Sequence, residues 1–139
     1  MNLTLRWLEN VAFEVANTNG NQIIFDGPPE HGGKNCGMRP MEGMLSAAAA
    51  CSAFDVVHIL KKMQQEPLSL QINIEAERTD AVPNVFTCIS LHFVLVGDHL
   101  KPASVARAVQ LSVEKYCSAL AMLNKTAAVN HTWRISKTP

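Results

Sequence analysis

The segment from Met41 to about Gln64 limits this chain more than any other. It reads Met41-Glu42-Gly43-Met44-Leu45-Ser46, then Ala47 to Ala50, then Cys51-Ser52-Ala53-Phe54-Asp55-Val56-Val57. Pro40 suits the first helical position, Glu42 suits the first turn, and Lys61 and Lys62 suit the last, where the helix dipole favours cations. Pro67 lies beyond the end of the helix. The first half of this helix is apolar on nearly every face, so it needs cover on every side. A chain of 139 residues has little material to supply that cover. Obligate pairing of two copies, each helping to bury the other's helix, resolves the difficulty, and a homodimer is therefore expected.

The flanking segments have a different period. Leu3, Leu5 and Trp7 alternate with more polar neighbours, as do Val11, Phe13 and Val15, and Gln22 to Phe25 forms a third short strand. Asn19-Gly20 between the second and third strands is a hairpin signal. Asp26 to Arg39 is rich in Gly and Pro and reads as a surface loop bordering the helix. After the helix, Ser69 to Glu77 and Val85 to Val96 alternate as strands, joined by a turn over Thr79 to Asn84. Pro102 opens a second long helix running to about Asn124, and Ala128 to Ile135 is a last strand. The order βββ-α-ββ-α-β is that of an α+β fold, without the strand–helix alternation of a parallel sheet. A single domain over residues 1–139 is expected.

Composition narrows the functional classes. Hydrophobic residues make up 47% of the chain and charged residues 17%, which supports a packed core and argues against disorder. The formal net charge is zero and no basic stripe appears, so neither nucleic acid nor an anionic membrane surface has electrostatic support as a partner. Met1 to Trp7 lacks the layout of a signal peptide, and Glu42 and Asp55 bracket the Ala-rich stretch short of a membrane span. A cytoplasmic location is expected, with Cys36, Cys51, Cys88 and Cys117 held as thiols.

Cys51 and Cys117 each sit in a long helical stretch where nothing local requires a thiol. Buried free cysteine is ordinarily a small hydrophobe. If the two meet, they form a dithiol able to turn a sulfenic acid into a disulfide. Reaction with peroxide needs a thiolate, and Cys51 lies some three turns into its helix, so a cation from elsewhere must support it. Glu42 is placed to orient such an arginine, or simply to occupy the first turn; Arg39 is the nearest cation to it in sequence. Cys51, Asp55 and His58 share a helix face at i, i+4 and i+7, which suggests a nucleophile triad only weakly. No metal site is expected: His31 and Cys36 share a loop, but no CxxC, HxxxH or HExxH is present. Gly32-Gly33 lacks the context of a phosphate loop, and Met38, Met41 and Met44 read as core or pocket lining.

Taken together, Pro40-Met41-Glu42, the Ala-rich run into Cys51-Ser52-Ala53-Phe54-Asp55-Val56-Val57, and the later Glu114-Lys115-Tyr116-Cys117 resemble the OsmC/Ohr family, in its OsmC-like branch. The likeness extends over essentially the whole chain. It implies an intertwined homodimer with two long central helices per subunit wrapped by antiparallel sheets, and a site at the subunit interface. By likeness Cys51 corresponds to the peroxidatic cysteine, Cys117 to the resolving one, and Glu42 to the glutamate that steadies a catalytic arginine. That arginine comes from the early strands in the peroxidase branches, where this chain has Arg6; Arg39 is the other candidate. The implied reaction is reduction of organic or small hydroperoxides, with the disulfide recycled by an external dithiol or a lipoylated protein, and with no metal or flavin cofactor. The alternative is a non-enzymatic dimer whose apolar interface pocket binds a small ligand.

Overall fold

The computed structural model describes residues 1–138. They form two compact units, residues 1–46 and the chain from Ala47 onward. In the first unit, β1 (Leu3–Glu9), β2 (Ala12–Asn17) and β3 (Gln22–Phe25) form an antiparallel meander. Gly20 takes a positive φ of 82° in the hairpin between β2 and β3, while Asn19 stays in the ordinary region. The turn is organised instead by Asn17, whose Oδ1 accepts from the backbone N–H groups of Asn19 at 2.9 Å and Asn21 at 3.0 Å. Leu3, Leu5 and Trp7 keep more than 60% of their surface exposed, so the apolar face of β1 is uncovered.

The loop after β3 is built around one carboxylate. Asp26 is 2% exposed and accepts backbone N–H groups from Gly27 at 2.7 Å, Cys36 at 2.9 Å and Lys34 at 3.0 Å. The Cys36 N–H leads these donors in holding the Asp26 carboxyl below its usual range. The short loop therefore has a fixed shape despite its glycine content.

Helix α1 (Pro40–Lys62) begins where the sequence places it, with Pro40 first. A side chain on Gly43 would collide with the Phe25 ring, so glycine lets this turn approach β3 closely. In the second unit the buried residues of α1 are Ala48, Ser52, Val56 and Leu60, a single stripe at four-residue spacing. The all-round burial expected from composition is not met within one chain. Phe54 is 72% exposed and Met44 48%, and Ala47 and Ala50 also face outward. By length and mean hydropathy (1.6) α1 also has the size of a membrane span, yet its middle carries Ser52 and Asp55, both bonded within the protein.

The second sheet is β4 (Ser69–Arg78), β5 (Phe86–Val96) and β6 (Ala128–Ser136) in the order β4-β5-β6. Its core face is Phe86, Ile89, Leu91, Phe93 and Leu95 of β5, all buried, with Phe93 and Leu95 fully so. β4 pairs antiparallel with β5, but β5 pairs parallel with β6. The sheet is thus mixed, which corrects the expectation of purely antiparallel sheets. The cause is the connection: a helical crossover between β5 and β6 returns the chain to the end from which it can run parallel.

That crossover also corrects the second long helix. α2 (Pro102–Leu111) gives way to a π-helical turn over Ser112–Tyr116, Cys117 adopts an extended conformation (φ −70°, ψ 102°), and α3 (Ser118–Leu123) starts anew. The apolar spacing of Val105, Ala108, Val109 and Leu120 is helical on both sides, so periodicity alone could not reveal the break.

Candidate active site

The break in the crossover carries Cys117 to α1. The N–H of Cys117 donates to the Ser112 carbonyl at 2.9 Å, closing the wide turn, and π turns of this kind recur at functional sites. Its sulfur caps the following helix by accepting the Leu120 N–H at 3.4 Å, and it contacts the Ala48 carbonyl oxygen at 3.7 Å. Cys117 is 1% exposed; burial pushes its thiol up to about 11, even though the Leu120 N–H pulls the other way. It is therefore a protonated thiol at neutral pH.

One turn of α1 supplies the rest of the cluster. Cys51 is half-buried and Asp55 follows at i+4 on the same face. The sulfurs of Cys51 and Cys117 and a carboxylate oxygen of Asp55 all lie within 4.8 Å of one another. The neighbouring Cys51 thiol adds to the rise in the Cys117 thiol, after the larger effect of burial. The two cysteines singled out from sequence do meet.

Behind them is a pair of serines that the sequence reading passed over. The hydroxyls of Ser52 and Ser112 are 2.7 Å apart and both residues are fully buried. The Ser112 oxygen also lies 3.1 Å from the Ser52 carbonyl and 3.3 Å from Asp55 Oδ2. A consistent assignment has Ser52 donating to Ser112 and Ser112 donating onward to Asp55 or the Ser52 carbonyl. The available signal was a small hydroxyl on the apolar stripe of each helix: Ser52 continues the spacing from Ala48 to Val56.

The other candidates are placed as follows. Glu42 Oε2 accepts the backbone N–H of Arg39 at 2.9 Å, the reach-back half of a capping box. The Arg39 guanidinium donates to the carbonyls of Asp26 at 3.1 Å and Gly37 at 3.4 Å and to the Asn35 side chain, all in its own loop. Arg6 pairs with Glu14 across β1 and β2 at 2.7 Å, with its side chain 68% exposed. His58 does not complete a triad. It points outward and stacks on Phe54, with ring centroids 6.0 Å apart and planes 7° from parallel. Cys36 makes only a long contact, 3.6 Å, to the Lys34 carbonyl oxygen, and Cys88 takes the Asn130 amide at 3.4 Å.

An open hollow of about 560 Å³ borders the cluster, lined by Asp55, His58, Ile59, Lys62, Met63, Leu111 and Tyr116. Asp55 thus belongs both to the thiol cluster and to the rim of this hollow. Tyr116, from the π turn, forms part of its wall.

Comparison with known proteins agrees with this architecture. Residues 31–132 match the family model described as OsmC-like protein. The chain belongs to the OsmC-like family. Among its OsmC-like relatives, Protein YhfA of Escherichia coli (strain K12) is 42% identical over 138 residues, covering 97% of this chain and 98% of that one. A crystal structure of a hypothetical protein from Aquifex aeolicus VF5 superposes with a TM-score of 0.86 at 30% identity, covering 99% of this chain and 97% of the other. An organic hydroperoxide resistance protein OsmC from Legionella pneumophila shares the OsmC-like fold at a TM-score of 0.70 and 16% identity, with 95% and 94% of the two chains covered.

Proposed function

We propose that this protein is a thiol-dependent hydroperoxide reductase in which Cys51 attacks and Cys117 resolves. The observation that carries the reading is the approach of the two sulfurs, from residues 66 positions apart, at the edge of a hollow whose wall includes Ile59, Met63, Leu111 and Tyr116. The name of the Legionella pneumophila relative, an organic hydroperoxide resistance protein, supports the substrate class.

The chemistry follows from the environments of the two thiols. Cys51 is the more accessible, and it takes the role of nucleophile. Its thiolate attacks the distal peroxide oxygen; the O–O bond breaks, an alcohol leaves after taking up a proton, and Cys51 becomes a sulfenic acid. The Cys117 thiol, kept protonated by burial, then condenses with it, forming the disulfide and releasing water. An external dithiol, either a small molecule or a lipoylated protein, reduces the disulfide and restores both thiols. A reducing compartment such as the cytoplasm suits that cycle.

In this reading one of Arg39 or Arg6 supplies the positive charge that favours the Cys51 thiolate, and Glu42 is the carboxylate that steadies it. The working species is a homodimer: the outer face of α1, with Phe54 and Met44 exposed, is the apolar surface a second copy would cover.

The hollow also favours a second reading, in which a dimeric protein binds an apolar ligand and the thiols are only lining. Stoichiometric cumene hydroperoxide added to the reduced protein, followed by disulfide mapping with mass spectrometry, separates the two. Rapid Cys51–Cys117 linkage supports the reductase. Absence of linkage, or pairing through Cys36 or Cys88, supports the binding protein.

A further inference from the structure

The donor set at the cluster suits a ligand that the redox reading does not use. Two sulfurs and one carboxylate oxygen converge within 4.8 Å, and this is the one such group of ligating side chains among the described residues. The donors come from two elements: Cys51 and Asp55 from one turn of α1, and Cys117 from the end of the π turn. Those elements are joined by the buried Ser52–Ser112 hydroxyl pair. The framework that holds the donors is therefore fixed by a contact that does not itself use them.

From this geometry we infer that the reduced protein binds one zinc ion per chain through Cys51 Sγ, Cys117 Sγ and an oxygen of Asp55. Bond lengths of about 2.3 Å to sulfur and about 2.0–2.2 Å to oxygen, in tetrahedral array, place the donors roughly 3.6–3.8 Å apart. The observed spread, within 4.8 Å, exceeds that array by no more than about 1 Å. Two sulfurs exclude the hard cations magnesium and calcium, which take oxygen ligands, and select a thiolate-seeking ion. Zinc fits further because it does not itself oxidise a dithiol.

The surroundings match what metal sites require. Ser112 Oγ lies 3.3 Å from Asp55 Oδ2, positioned to donate to the carboxylate and leave its other oxygen for the ion. Three protein ligands leave a fourth position for water, and Asp55 borders the open hollow that admits it. On binding, both thiols release their protons to solvent and the two sulfurs and the carboxylate bond to the ion. No electrons move.

The consequence is a competition. Zinc and a Cys51–Cys117 disulfide draw on the same two sulfurs, so each state excludes the other. The inference itself rests on the cluster geometry and not on hydroperoxide turnover.

The test uses reduced, chelator-treated protein under anaerobic conditions, titrated with zinc against a chromophoric competitor and separately with cobalt(II). The expected result is one metal per chain, with a thiolate-to-cobalt charge-transfer band that Cys51→Ser and Cys117→Ser each abolish. Each lowers zinc affinity by more than the about 10–100-fold that losing a hydrogen-bonded partner of a ligand costs, and Asp55→Asn, which removes a ligand's charge, lowers it by at least that range. Cys117→Ala replaces the serine variant if the latter loses its native circular dichroism, since alanine suits the buried position. Absence of stoichiometric uptake, or uptake that survives loss of either cysteine, overturns the assignment. Zinc binding without peroxide turnover leaves this inference standing and removes only the reductase reading; turnover without zinc binding does the reverse.

Discussion

Ser52 and Ser112, 60 residues apart in sequence, hold their hydroxyls 2.7 Å from each other in a fully buried contact. This bond ties α1 to the π turn one residue from Cys51 and five residues before Cys117. It sets where the two thiols meet, and Asp55 is attached to it through Ser112.

Removing the Ser112 hydroxyl leaves that of Ser52 buried without its partner, whereas Ser52→Ala leaves Ser112 its contacts with the Ser52 carbonyl and Asp55. Ser112→Ala is expected to cost about 1–3 kcal/mol, the penalty of an unsatisfied buried polar group. The Ser52→Ala/Ser112→Ala double variant costs less than the sum of the single changes, because no orphan remains. Urea unfolding of the four proteins measures the coupling; strict additivity would show that the pair does not act as a unit.

Cys51→Ser is expected to reduce hydroperoxide turnover to background. Cys117→Ser keeps the first half-reaction: one equivalent of peroxide is consumed, and a sulfenic acid accumulates that dimedone traps on Cys51. Equal loss in both variants with no trapped adduct would contradict the assigned roles.

Burial raises the Cys117 thiol from 9.0 to about 11, so the native state holds that proton more tightly than the unfolded chain does. The resulting stabilisation is fully present below pH 9.0 and is lost as pH rises towards about 11. Wild type should therefore lose stability across that window more steeply than Cys117→Ala, as followed by denaturant midpoints. Alkylation of Cys117 by iodoacetamide should likewise be slow at neutral pH and accelerate through the same window.

Asp26 has the opposite sign. Its carboxyl, held down chiefly by the Cys36 N–H, contributes stability above its ordinary value of 3.8 that disappears as pH falls towards the lowered native value. Asp26→Asn lowers the melting temperature near neutrality, because one amide oxygen cannot replace a carboxylate accepting from Gly27, Lys34 and Cys36. The gap between wild type and variant should narrow in acid below that value. A gap independent of pH would assign the effect to shape alone.

Phe54 is the largest exposed apolar side chain on α1, at 72% of its surface. Phe54→Asp is expected to convert a dimeric wild type into a monomer by light scattering. A wild type already monomeric in dilute solution would remove the dimer from the proposal.

The sequence by itself determined the element order and most element boundaries, because alternation and helical spacing are local signals that survive without neighbours. Pro40 and Glu42 marked the start of α1, and the alternating β5 residues Ile89, Leu91, Phe93 and Leu95 marked a core face; each depends on positions a few residues apart. Family resemblance added the pairing of Cys51 with Cys117, which no local pattern contains. Only the tertiary structure decided the rest. The parallel pairing of β5 with β6, the contact of Cys117 with Ala48, the Ser52–Ser112 bond and the place of Asp55 beside Cys117 all join residues tens of positions apart. The physical reason is that such contacts are selected by the closure of the whole chain. A serine within an apolar helix carries its partner's address only once the fold has brought the two together.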